Sequence, residues 1–249
     1  MSGHSKWAGI KHKKAIVDAK RGQIFSKLIR EITVAAKQGG GEPGGNARLR
    51  VSVDKARAVN MPQDNIKKAI QRGTGELPGV SYEELIYEGY GPGGVAVIVE
   101  VTTDNKKRIA AEVRKAFSRH GGNLGDAGCV GWMFNKKGYI SVDKAKIREE
   151  ELMEIALESG AEDVKSDDED VFEIITEPQD FEKVKRSLMA KNIEISSQEI
   201  TMLPQTYIRL EGSKAEQMLR LMDELDNNDD VQNVYANFDI PKAIMEKVT

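Results

Sequence analysis

The stretch "KGYISVDKAKIREEELMEIALESGAEDVKSDDEDVFEIITEPQDFEKVKRSLMAKNIEISSQEITM", residues 137–202, decides the fold of this 249-residue chain. "KGYISV", "VFEIIT" and "IEISSQEITM" read as strands, with a further short one near "EDVKS". "AKIREEELMEIALESG" and "PQDFEKVKRSLMAKN" read as helices. The order β-α-β-β-α-β is the pattern of a ferredoxin-like sandwich, two helices packed on one face of an antiparallel sheet.

Outward from this segment lie two half units. After Pro204 come strand "TYIRL", helix "SKAEQMLRLMDELD" and strand "VQNVYANF". Before it come strands "YEELIYEGY" and "GVAVIVEVTT", separated by "GPGG", and a helix over 105–120 that Asp104 can cap. "GGNLGDAG" terminates that helix, and "CVGWMF" is the next strand candidate. The economical solution joins 80–135 with 204–249 into a second sandwich, into which 136–203 is inserted; the alternative gives the tail its own small domain.

Residues 1–79 are different in kind. A helix over 13–37 places Ile24, Phe25, Leu28, Ile29, Ile32, Ala35 and Ala36 on one arc, with Lys20, Lys27, Arg30 and Lys37 opposite. "GGGEPGG" ends it as a flexible connection. Asn46 caps a second helix with Leu49, Val53 and Ala56 inward, and Pro62 suits the first turn of a third that Gly73 closes. The expected fold class is therefore α+β: an N-terminal three-helix basic bundle followed by two ferredoxin-like sandwiches, one inserted in the other.

Charge separates these parts sharply. The chain carries 37 Lys/Arg and 40 Asp/Glu, a net of −3. Residues 1–73 hold 16 of the cations and 5 of the carboxylates, a local net of +11, which leaves −14 on the other 176 residues. A solvated helical face accounts for a lone basic run. An excess of this size over one domain-sized segment is self-repelling and points to a polyanion partner. Candidate contacts are Lys6, Trp7, Lys11, His12, Lys13 and Lys14 in the N-terminal arm, and Lys20, Arg21, Lys27 and Arg30 on the first helix. Arg48, Arg50, Lys55 and Arg57 on the second helix and Lys67 and Lys68 on the third complete the set. Such cations neutralise phosphates and release counterions. Sparse aromatics argue against a base-stacking platform.

Other chemistry finds little support. His4 and His12 sit among lysines, and no Cys or His spacing resembles a zinc site. "SDDED" and "DNNDD" lack the alternating ligands and distal Glu of a calcium loop. "GGGEPGG" has no Gly-Lys-Ser/Thr ending, and "GYGPGG" leads into a strand, so both read as linker or turn. No nucleophile elbow occurs, and the single cysteine, Cys129, lies in an apolar strand candidate. No metal, cofactor or catalytic residue is expected. One cysteine fits a reducing compartment, no run approaches membrane-spanning length, and the N-terminus lacks a secretory core. The cytoplasm is the expected location; a mitochondrial presequence is the alternative, interrupted by Asp18 and Glu31.

"GHSKWAGIKHKK", "RGQIFSKLIREI", "NARLR", "NMPQDNIKKAI", "YEGYGPGGVAVIVE", "TDNKKR" and "GGNLGDAGCVGWMF", in that order, resemble the YebC/PmpR family. The resemblance spans most of the chain; Gly9 replaces the usual Asn after "GHSKWA". It implies one helical and two α+β domains, no cofactor, and a DNA-binding regulator of transcription. Its mitochondrial relatives imply instead a translational activator on the ribosome, bound through ribosomal RNA. On either reading the acidic body faces away from the polyanion or toward a basic protein.

Overall fold

The computed structural model describes residues 21–241 and 243–245. Three helices open it: α1 (Arg21–Gly39), α2 (Ala47–Ala58) and α3 (Gln63–Thr74). Leu28, Ile32, Ala35 and Ala36 of α1 close over Leu49, Val53 and Ala56 of α2 and Ile66 and Ala69 of α3, forming one buried cluster. The connection after α1 is pinned rather than loose. Asn46 accepts from the Leu49 N–H (3.0 Å) and donates its amide to Ala35 O (2.8 Å) and Gly40 O (2.9 Å), so one side chain caps two helices. Gly73 lies inside α3, where a Cβ would stand 2.4 Å from Thr33 O; it serves close packing. Gly75, at φ 83°, ends the helix instead.

The first sheet has the order β3-β1-β2-β9, from β1 (Glu83–Tyr90), β2 (Ala96–Thr103), β3 (Asn123–Leu124) and β9 (Val231–Ala236), all antiparallel. Helices α4 (Lys106–Arg119) and α7 (Gly212–Asp226) share one core with it, Ile109, Val113 and Phe117 meeting Met218, Leu221 and Met222 over Val97, Val99 and Val101. The opposite face is apolar too: Ala96, Ile98 and Tyr235 pack on Val130 and Phe134. Burial on both faces explains why "AVIVEVTT" reads as a continuous apolar run.

The second sheet, order β5-β6-β4-β7, is formed from one stretch of chain: β4 (Phe134–Asp143), β5 (Asp163–Lys165), β6 (Val171–Thr176) and β7 (Ile195–Pro204). Helices α5 (Glu149–Ser159) and α6 (Phe181–Ala190) cover one face through Leu152, Ala156, Val184 and Leu188 over Ile140, Val142, Phe172 and Ile174. This is the ferredoxin-like strand order. The fold class is thus α+β, helices first and two sheet-bearing sandwiches after, with strands of the first sheet lying in sequence on both sides of the second.

Three further local expectations fail. Asp104 does not cap α4; Asn105 does, accepting from the Arg108 N–H at 3.1 Å, while Asp104 pairs with the Arg108 guanidinium at 2.7 Å. Only Phe134 of "CVGWMF" joins a strand, because the Val130 and Gly131 donors before it are taken by a side chain. Glu88 of β1 accepts from the N–H groups of Gly128 (2.9 Å), Val130 (2.8 Å) and Gly131 (2.7 Å), fixing a loop and a single 3₁₀ turn at Gly131–Met133 before β4 begins. The strand of that region is β3, inside the run read as a helix stop. "TYIRL" contributes only β8 (Ile208–Arg209), which pairs in parallel with β10 (Phe238–Asp239) as a separate two-stranded ribbon.

Cys129 accordingly sits in the loop, half-buried. Burial first, and then the nearby Glu88 charge, hold its thiol above the usual range, which keeps it protonated and weakly nucleophilic. "GYGPGG" is the hairpin connection between β1 and β2, with Gly93 and Gly94 at φ 75° and 81°. No described helix is long and apolar enough to cross a membrane.

Candidate nucleic-acid interface

Each bundle helix has one apolar stripe spent on the shared core, so its cations must leave by the remaining faces. They divide into two sets. The first stays exposed on α2 and α3: Arg48, Arg50, Lys55 and Arg57, then Lys67, Lys68 and Arg72. On the same two helices only Asp54 and Asp64 are acidic, and each is paired within its own helix, Asp54 with Arg57 (3.5 Å) and Asp64 with Lys68 (3.1 Å). Such exposed pairs are weak and give way readily to a phosphate. Arg50 leans on Pro43 O at 3.2 Å, and Lys55 bridges to Glu31 at 3.1 Å.

Arg48 also meets Glu84 of β1, so six cations against two carboxylates remain over α2 and α3, a strongly positive surface. Four residues, 59–62, join α2 to α3, a turn length at which two-helix DNA-binding units are built. Arg72, which the candidate set above omits, is exposed on α3 as well, its stem lying against Gly79. It stands four residues beyond Lys68, on the same side of α3, and that spacing is the signal that finds it.

The second set is turned toward the sheet domains. Lys27 donates to Asp226 O at 2.7 Å, and Gln23 to Asn227 O at 2.7 Å. Arg30 donates to Asp229 O and forms an ion pair with Asp230 at 3.0 Å; its guanidinium also lies 5.7 Å from the Tyr82 ring centroid. The arc of α1 expected to face solvent is therefore covered in part. Lys27 is half-buried, and the Arg30 side chain keeps 16% of its exposure. The reason is complementary charge: "DNNDD", which reads as a solvated turn in sequence, is the surface that α1 meets.

Arg48 joins the two regions at the other end of the bundle. It forms a two-pronged ion pair with Glu84 of β1, one arm at 3.0 Å, while Gln38 donates to the same carboxylate at 3.0 Å. The hydrogen bonds that Arg48 donates to Glu84 hold the carboxyl below its ordinary range and the guanidinium above its own. Lys37 donates to Ser81 at 2.8 Å beside it.

Arg21 is exposed at the first turn of α1. Lys6, Trp7, Lys11, His12, Lys13, Lys14 and Lys20 lie outside the described residues, as does the part of the expected first helix before residue 21. The structure thus leaves Arg50, Arg57, Lys67 and Lys68 exposed on α2 and α3, and sets Lys27, Arg30 and Arg48 against the body.

Comparison with known proteins adds to this geometry. Residues 5–76 match the sequence profile described as TACO1/YebC protein N-terminal domain, and residues 82–238 that described as TACO1/YebC second and third domain. A protein of Endomicrobium trichonymphae called "Probable transcriptional regulatory protein" is 60% identical over 249 residues, covering 100% of this chain and 99% of that one. A Geobacter sulfurreducens protein of the same description is 60% identical over 248 residues, covering 100% of both. Among solved structures, the crystal structure of a conserved hypothetical protein from Aquifex aeolicus superposes with a TM-score of 0.78 at 49% identity, over 91% of this chain and 93% of that one.

Proposed function

Because the chain belongs to the TACO1/YebC family, we propose that it is a DNA-binding regulator of transcription that grips the phosphate backbone through its helical bundle. The observation that carries this reading is the exposed cationic surface of α2 and α3, where Arg50, Arg57, Lys67, Lys68 and Arg72 stand against only two weakly held carboxylates. The basic arm, with Lys6, Lys11, Lys13 and Lys14, adds to the same charge. The curated relatives' description as regulatory proteins supports the reading, as does the short turn between α2 and α3. In this reading the protein works in the cytoplasm and needs no cofactor; its residues position a polyanion and carry out no bond-making step.

Changing Lys67, Lys68 and Arg72 together to Gln tests it. Affinity for random duplex DNA should fall, and the dependence of log affinity on log salt should flatten by up to about 0.9 per lost phosphate contact. Unchanged affinity and slope in a titration would remove the face from the reading.

The acidic body favours a second reading, a translation factor held on the ribosome. A net of −14 beyond residue 73 is repelled by a bare duplex and attracted by basic ribosomal proteins. Binding to selected DNA, random DNA and intact ribosomes at one near-physiological salt concentration separates the two. A regulator of transcription prefers its site over random DNA by about a thousandfold or more. Retention on ribosomes without such a preference favours translation.

A further inference from the structure

Gln23, Lys27 and Arg30 occupy positions i, i+4 and i+7 of α1 and so form one stripe. All three donate to a single short segment of the body, residues 226–230, where α7 ends and its following loop begins. The acceptors are the carbonyls of Asp226, Asn227 and Asp229, with a carboxylate oxygen of Asp230 beside them. A helix C-terminus carries about half a negative charge on carbonyls that have no partner within the helix, and three aspartates reinforce it here. To the stripe, this segment presents what a nucleic-acid strand presents: a row of closely spaced anionic oxygens.

Three features make the contact exchangeable. The buried apolar cluster of the bundle is separate from those of the body, and the three donors of the stripe all meet oxygens, contacts that salt weakens. The Arg30 Nε–H is buried without an acceptor, which penalises the docked arrangement. Asp230, finally, does not depend on Arg30: it also accepts from Arg108 at 2.6 Å and from the Thr103 hydroxyl at 2.7 Å. Withdrawal of Arg30 therefore strands no buried charge.

We propose that the Gln23–Lys27–Arg30 stripe is a second phosphate-binding surface, on which residues 226–230 of the body and a nucleic-acid backbone compete. This rests on the nucleic-acid reading above and adds to it a self-masked state. With the bundle docked, only the α2–α3 face is open; with the bundle released, α1 joins it and the contact with the polyanion lengthens.

The test uses the full chain carrying Cys129→Ala, with Gln23→Cys and Asn227→Cys joined by a bis-maleimide whose spacer contains a reducible disulfide. The closed form should bind random duplex DNA about tenfold more weakly than the reduced form, with a log–log salt slope shallower by up to ~1.8, about 0.9 for each of Lys27 and Arg30. Equal affinity and slope before and after reduction overturn the competition and leave the α2–α3 reading standing. Absence of binding in both forms overturns both. A second variant needs no cross-link. Asp229→Asn, on an exposed residue, should raise affinity roughly two- to threefold at low salt by weakening the mask; an unchanged affinity counts against the proposal.

Discussion

The two sandwiches solve the same problem with different materials. In the second sheet, β4 to β7 come from one continuous stretch, and the face away from α5 and α6 is polar. There the Tyr139 hydroxyl donates to Glu173 at 2.8 Å, and the Ser141 and Ser197 hydroxyls meet at 2.7 Å. The first sheet is assembled from distant stretches, and its second face is apolar, Ala96 and Ile98 packing on Val130 and Phe134. Two carboxylates intrude on it: Glu88, 8% exposed and held by three backbone N–H groups, and Glu100, which accepts from Tyr235 and Asn233. The difference shows how a sheet face is closed. A polar face closes by side chains satisfying one another locally, whereas an apolar face needs a covering segment, and that segment needs an anchor.

The largest expected effect removes the anchor. Glu88→Ala leaves three loop N–H groups without their acceptor and should cost about 3–5 kcal/mol, read as a lower midpoint in denaturant with Trp132 fluorescence as the probe. A loss under about 1 kcal/mol would mean that the loop holds itself. Opening a cavity on the covered face, Ile98→Ala, should cost about 2–4 kcal/mol. Hydrogen exchange should show that loss in the first sandwich and leave α5 and α6 protected. On the polar face, Tyr139→Phe should cost about 1–2 kcal/mol, confined to the second sandwich. A larger cost there than for Ile98→Ala would reverse the comparison. At the bottom of the scale lies the exposed Lys146–Glu194 ion pair; Glu194→Gln should change stability by less than about 1 kcal/mol.

Acid gives a further handle on Glu88. Burial raises its carboxyl, but the backbone donors at Val130, Gly128 and Gly131 outweigh burial, so the folded-state pKa lies below the ordinary value. A depressed carboxyl contributes stability that is present above the unfolded value of about 4.3 and lost as pH falls through the folded value. The first sandwich should therefore weaken below roughly pH 4, and Glu88→Gln should flatten that part of the melting-temperature profile. Parallel profiles for the two proteins would show that other carboxylates dominate.

The second sandwich was the most legible part of the sequence, since each of its elements is followed directly by the one it packs on; the span read for β6, "VFEIIT", coincides with the strand. Periodicity also placed the bundle helices and the Asn46 cap. What stayed hidden depends on partners far along the chain. "CVGWMF" has the composition of a strand, and nothing local shows that its donors belong to Glu88, some 40 residues earlier. "GGNLGDAG" reads as punctuation because a two-residue strand has no period to display. Within the candidate site, residue type and helical arc identified the cations, and local sequence could not divide them. Lys27 and Lys67 look alike in sequence; only the fold sets one against Asp226 O and leaves the other open.

The pairing of β2 with β9 sets a timetable for synthesis. Val101 must wait for Val231, about 130 residues later, before its edge of the sheet is filled. At ~5–20 residues per second, the β1–β2 hairpin leaves the ribosome and stands with one edge unpaired for roughly 6–26 s. Within that interval all of β4 to β7 is made, free to fold while the first sheet is still open. A chain released after Pro204 should thus carry the second sheet complete and the first unfinished, making the β2 edge the place where an incomplete molecule is most exposed to pairing with a neighbour.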